Sequence, residues 1–164
     1  LARRLGRLHG DPLFALATDD AHHYFDGTNA IAAPGRGWVM VRAESLTEDA
    51  ITRALLAGDF YASSGVVLED VRSDAKSLTV TIHAQEGVTT TTRFIGTRTK
   101  GGALVDVGGV LAESSERVAR YTFHGDELYV RAVVTSSRLH PNPYAAGDHE
   151  MAWVQPVVVH RANR

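Results

Sequence analysis

Cysteine is absent from this chain, which excludes disulfide scaffolding and thiolate-bound metal but leaves metal held by imidazole and carboxylate open. No apolar run approaches the ~18 residues of a membrane span and no secretory-leader pattern is present, so no membrane partner is expected. An excess of one charge is lacking too. Against 17 Lys and Arg stand 19 Asp and Glu, a formal net charge of −2. The basic residues are scattered, so nothing favours phosphate backbones and nucleic acid is not expected as a main partner. These absences leave the compartment open, with the cytoplasm slightly favoured. The 44% hydrophobic and 22% charged content of the 164 residues is that of a globular protein, long enough for one ordinary domain or one and a half small ones.

The most informative stretch present is Thr18-Asp19-Asp20-Ala21-His22. It follows an apolar run, Leu13 to Ala17, that reads as a short buried strand. Strand side chains alternate faces, so Asp20 and His22 point one way and Asp19 and His23 the other. A carboxylate and an imidazole then converge where a strand ends, the rim on which α/β folds build metal and substrate sites.

Two regions differ in period. In residues 1–65, Leu1, Leu5 and Leu8 share a helical face that opens with neither Met nor a capping residue before it, which is read as a chain belonging to a longer protein. Gly10 and Pro12 stop that helix. Trp38 to Val41 reads as a second strand. A helix follows, with Thr47 at the N-cap, Glu48 and Asp49 in its first turn, Leu46 stapled onto Ile51, and Gly58 at its end. From Val66 the period becomes two. Leu78, Val80 and Ile82 alternate with Thr79, Thr81 and His83, while Ala119, Tyr121 and Phe123 alternate with Arg120 and Thr122. Leu128 to Val134 and Trp153 to Val159 read as central strands, and Gly101-Gly102, Gly108-Gly109 and Gly125-Asp126 as turns. Six to eight such strands predict an antiparallel β-sandwich.

Ala17-Thr18-Asp19-Asp20-Ala21-His22, Gly37-Trp38 and Gly58-Asp59-Phe60-Tyr61-Ala62-Ser63-Ser64-Gly65, in that order, resemble the C-terminal part of polymerase and histidinol phosphatase (PHP) domain phosphoesterases. Tyr129-Val130-Arg131 and Ala152-Trp153-Val154-Gln155-Pro156 are similar to a β-sandwich appended to many of them. The resemblance implies an α+β fragment, in which residues 1–65 are the last β/α units of a PHP-type (β/α)7 barrel and residues 66–164 the antiparallel β-sandwich. It further implies divalent metal (Mn, Zn or Fe), phosphoester hydrolysis by a multinuclear metal site, and Asp20 and His22 as metal ligands. The family's H-x-H and its middle Glu and His ligands have no counterpart. Two ligands cannot hold a hydrolytic metal with an open position, so the chain alone is expected to be inactive and the missing N-terminal barrel portion becomes its expected partner.

His23 and Tyr24 border the proposed site as possible substrate-side residues. Ser63-Ser64-Gly65 lacks the strand-to-helix context of a nucleophile turn, and Gly35-Arg36-Gly37 lacks a third glycine for pyrophosphate. His83, His124, His140, His149 and His160 show no shared ligand spacing, Trp153 reads as core, and residues 136–149 as a long loop. An alternative function is a β-sandwich that recognises carbohydrate or protein, or braces the barrel. A strand at 13–17 deprived of parallel neighbours would also recruit another copy, giving a homo-oligomer through residues 1–45.

Overall fold

A computed structural model describes residues 12–19, 21–22 and 33–159, and most of their regular structure is strand. The order among them is β1 (Trp38–Val41), α1 (Glu48–Ala57), β2 (Phe60–Ser63), β3 (Leu68–Ser73), β4 (Ser77–Ile82), β5 (Thr90–Lys100), β6 (Ala103–Ser114), β7 (Val118–Thr122), β8 (Glu127–Leu139), β9 (His149–Val154) and β10 (Val157–Val158). A seven-stranded sheet runs β1-β2-β9-β8-β5-β6 with β10 beside β8, and a three-stranded sheet runs β3-β4-β7. Each of these pairings is antiparallel.

The core lies between the two sheets. Alternation sends Leu78, Val80 and Ile82 of β4 inward to meet Phe94 of β5, Val130, Ala132 and Val134 of β8, and Ala152 and Val154 of β9. Phe94 lies 5.6 Å from Tyr121 of β7, ring centre to ring centre. Full burial of each large apolar side chain stabilises by roughly 1.5–3 kcal/mol, which makes this face the main source of cohesion. β9 and β10 form one interrupted strand along β8. Trp153 opposes Val133 and Val157 opposes Val130, with one residue extra on the β9–β10 side. Pro156, which has no N–H to give a ladder, falls at the break.

The (β/α) barrel remnant expected over residues 1–65 is not what the structure contains. β1 pairs with β2 and β2 with β9, both antiparallel, so these strands belong to the sandwich's own larger sheet. Leu13 to Ala17 carries no strand ladder, and Leu13 and Leu16 are exposed. Short apolar runs of this kind fit a parallel or an antiparallel neighbour equally well, and the neighbour that wins here lies at the far end of the chain. α1 has the expected caps, with the Thr47 hydroxyl accepting from the Ala50 N–H and Gly58 left-handed at φ 79°. Its staple is absent, since Leu46 is 94% exposed. Ala50 and Ala54 form its buried face.

Gly108-Gly109 is not a turn but a bulge inside β6. Gly96 opposes Gly109 while Arg98 opposes Val105, so two extra residues bow out of the edge strand there, with Asp106 at φ 49°. Such a bulge blunts an edge otherwise open to strand addition.

Gly96 marks the tightest approach between β5 and its neighbours. A Cβ there would lie 2.5 Å from the Tyr129 carbonyl oxygen and 2.7 Å from Leu111 Cδ1. Gly96→Ala is expected to destabilise by about 2 kcal/mol through forced separation of β5 and β8. A denaturant midpoint equal to that of the parent chain would contradict this packing.

Candidate functional site

The segment that enters the Asp-Asp-Ala-His motif is held to the sandwich by side chains rather than by a ladder. The Gln155 carboxamide bonds both backbone groups of Ala15, accepting from its N–H at 2.9 Å and donating to its carbonyl at 2.8 Å. In doing so it stands in for a neighbouring strand. One residue earlier, the Phe14 ring meets Phe60 edge-on at 6.2 Å and 80°. That ring lies across Gly58, where a Cβ would come within 2.5 Å of Phe14 Cζ. Any side chain at position 58 would push the segment away.

Asp19 fixes the other end. Its carboxylate accepts from the backbone N–H groups of Gly35 at 2.7 Å, Arg36 at 2.6 Å and Gly37 at 2.7 Å. Partial burial raises its pKa, but the three N–H donors and the Arg36 charge outweigh this and hold it below the usual aspartate range. The turn it caps is in turn clasped by the 140–148 loop. Arg36 donates through Nε to the Asn142 carbonyl at 3.2 Å and through Nη2 to Asn142 Oδ1 at 3.3 Å, and Asn142 Nδ2 donates to the Pro34 carbonyl at 3.1 Å. The Asn142 N–H donates to Nδ1 of the buried His140, so that nitrogen carries no proton.

Of the four residues proposed from sequence, His22 is described and exposed, three positions past the Asp19 clamp. Asp20, His23 and Tyr24 lie outside the described residues. Asp19, assigned to the opposite face, is saturated by N–H donors and has become a turn cap.

A second cluster was not legible from histidine spacing. His124, Asp126 and Glu127, at the β7–β8 turn, offer ligand atoms within 4.8 Å of one another. The hydrogen bonds already present argue against a cation there. Glu127, with no side-chain exposure, accepts from Tyr121 Oη at 2.7 Å, from the His124 N–H at 3.0 Å and from the Gly125 N–H at 2.9 Å. Burial raises the Glu127 pKa, and these donors more than reverse the shift, leaving it below the usual glutamate range. Burial likewise raises the Tyr121 phenol. Arg98 fills the place of a cation, with Nη2 at 3.1 Å from Tyr121 Oη and 3.3 Å from His124 Nδ1, and Nε at 3.7 Å from Asp126 Oδ1. The cluster is a latch on the turn. Its sequence signal was the His-Gly-Asp-Glu run, in which a glutamate just past a glycine turn can cap its N–H groups.

A cleft of about 470 Å³ opens beside the anchored segment, lined by Phe14, Phe60, Tyr61, Leu78, Val154 and Gln155 among others. Several of its polar groups are internally committed. Tyr61 Oη accepts the Leu68 N–H at 2.9 Å, and Asp70 bonds both Arg42 and Arg72.

Compared with protein-family models, with curated proteins and with solved structures, the chain matches none.

The latch carries a pH signature. A carboxylate whose folded pKa is depressed stabilises above its unfolded pKa and loses that contribution as the pH falls through the folded value, so Glu127 and Asp19 support the fold above about pH 4 and progressively less below it. Glu127→Gln is expected to cost about 2 kcal/mol at neutral pH and to flatten the acid limb of a stability-versus-pH curve. An acid limb identical in slope to that of the parent chain would show that Glu127 does not carry it. Asp19→Ala is expected to accelerate amide exchange at Gly35, Arg36 and Gly37 while leaving Phe94 and Val130 protected. Equal exchange at those three amides in parent and variant would show that Asp19 does not cap them.

Proposed function

We propose that this chain is a β-sandwich module that braces the Thr18–His22 segment and supplies Asp20 and His22 to a divalent-metal centre for phosphoester hydrolysis, whose other ligands lie outside this chain. The observation that carries this reading is the double hold on the segment, by Gln155 at Ala15 and by three backbone N–H groups at Asp19. A solvated loop has no need of five such hydrogen bonds; a ligand-bearing segment does, because metal geometry tolerates little play.

The donor set bounds what the chain does alone. Among the described residues, His22 is not one of a close group of three potential ligands; the single such group is the Arg98-occupied latch. One exposed imidazole does not form a hydrolytic metal site, which needs three or more protein ligands and an open position. No catalytic step is therefore assigned to this chain. Its part is positional, and the phosphoester class comes from the likeness of its motifs to PHP phosphoesterases, without their barrel.

Manganese titration followed by nuclear magnetic resonance tests the assignment. Paramagnetic broadening is expected first at residues 18–22, with weak affinity and no hydrolysis of bis(p-nitrophenyl) phosphate. Broadening centred on His124 to Glu127 would overturn the siting, and turnover by the isolated chain that His22→Ala abolishes would overturn the bracing role.

A further inference from the structure

The inward face of the larger sheet changes character toward one end. Along β8 the inward residues run Val130, Ala132, Val134 and then Ser136; along β5, Phe94, Thr92 and then Thr90, which opposes Ser136. Along β9 they run Val154, Ala152 and then Glu150. Alternation thus delivers a carboxylate to a position where the core pattern calls for an apolar side chain. Glu150, Thr90 and Ser136, with Val66, Ile82 and Val88, line a cleft of about 410 Å³ at this end of the sandwich.

Glu150 has almost nothing to balance its charge. Its side chain is 9% exposed, and the one cation of the described residues within reach, Arg138 Nη1, stands 3.9 Å away on a side chain that is 50% exposed. No hydrogen bond from a described residue reaches either carboxylate oxygen. Arg117, also on the cleft wall, is committed to Glu69 at 2.9 Å. Deeper along β5, the Thr92 hydroxyl is buried and without a partner. The seat for Glu150 exists because position 65 is glycine. At φ 149°, a Cβ on Gly65 would fall 2.4 Å from Glu150 Cγ.

A carboxylate nine-tenths buried, with no hydrogen-bond donor among the described residues and one cation 3.9 Å away, is poorly compensated, and a cation entering the cleft would offset that cost. Its strongest complement is a compact cation. The acceptors are separate ones, a carboxylate, the Thr90 hydroxyl and the second lone pair of the Ser136 hydroxyl, which already accepts the Arg138 N–H at 3.0 Å; this suits an ammonium with three divergent N–H donors better than a planar guanidinium. The apolar walls of Val66, Ile82 and Val88 suit an unbranched hydrocarbon stem. We propose that this cleft binds a primary alkylammonium group with Glu150 as its counter-ion. The same chemistry is offered by a lysine side chain of a partner protein and by a free diamine.

Titration of the full chain with n-butylammonium, followed by amide chemical shifts, tests this. Shifts are expected at Gly65, Ser136 and Glu150, with none from 1-butanol, which has the stem but not the charge. Glu150→Gln is expected to weaken binding by about tenfold or more while leaving the thermal midpoint unchanged or raised, and Ala84→Trp, from the exposed rim of the cleft, to block it. Equal binding by Glu150→Gln, or no shifts with n-butylammonium, would overturn the proposal. So would a fall in the thermal midpoint shared by Glu150→Gln and Arg138→Ala, which would make the pair a structural ion bridge. Tighter binding of Nα-acetyl-lysine methylamide than of 1,5-diaminopentane supports the site with a protein lysine as its source, and the reverse order supports it with a free diamine.

Discussion

The placement of the core depends on one constraint, the alternation of β8 between two faces from Val130 to Ser136. Val130, Ala132 and Val134 are fully buried against the smaller sheet, whereas Arg131 and Thr135 look the other way. A slip of one residue would turn that set outward and drive an arginine into the core, which fixes the register far more strongly than any single hydrogen bond. β5 and β9 are paired to β8, so their inward sets follow. The position of Phe94 opposite Ala132 and the inward aim of Glu150 are consequences of the same choice. The apolar core and the polar end of the cleft are therefore two stretches of one register.

Against this background the carboxylates divide by what surrounds them. Asp19, Asp74, Glu127 and Asp148 each accept backbone N–H groups in a turn, as when Asp74 takes those of Lys76 and Ser77, both at 2.7 Å, and Asp148 takes that of Ala145 at 2.7 Å. Such an oxygen is already in use. Its negative charge is offset by fixed dipoles, and a metal or ligand would have to displace them. Asp70 is balanced differently, by Arg42 and Arg72 near the surface. Glu150 belongs to neither group, being buried, inward and supplied with only a distant cation. The acids of this protein thus cannot be ranked by identity or local spacing. Their donors decide.

What was legible in the sequence was whatever depends on neighbours along the chain. Alternation at Leu78, Val80 and Ile82 located β4, and Thr47 with Gly58 located both ends of α1. What depends on distant partners was not. Trp38 to Val41 read as a barrel strand and Phe60 to Ser63 as the end of that region, and only the pairing of β2 with β9, some ninety positions on, and of β1 with β2 makes them part of a sandwich, with β1 at its edge. Leu13 to Ala17 failed for a related reason, since its hydrogen-bond partner is a glutamine side chain that no period reveals. Gly108-Gly109 was legible as irregular backbone but not as a bulge, because a bulge and a turn use the same glycine freedom. Of the candidate site, the role of Asp19 as a cap could have been suspected from Gly35 and Gly37, yet their separation in sequence hid it.

The long reach of these contacts bears on how the motif is held. The Ala15–Gln155 bonds close a separation of 140 residues, and the Arg36–Asn142 bonds one of 106. Contacts of such range form only after the loop entropy between them has been overcome, so the Gln155 and Asn142 clasps wait for β8 and β9, whereas Asp19 caps residues 35–37 only 16–18 positions away. Perturbing the core at Phe94 or Val134 should then loosen the motif even though neither residue touches it, whereas loosening the motif should leave the core intact. The dependence is one-way. It makes the sandwich the condition for the segment's geometry rather than a separate unit beside it, and it explains why a protein would retain polar clasps as specific as Gln155 and Asn142 far from any core.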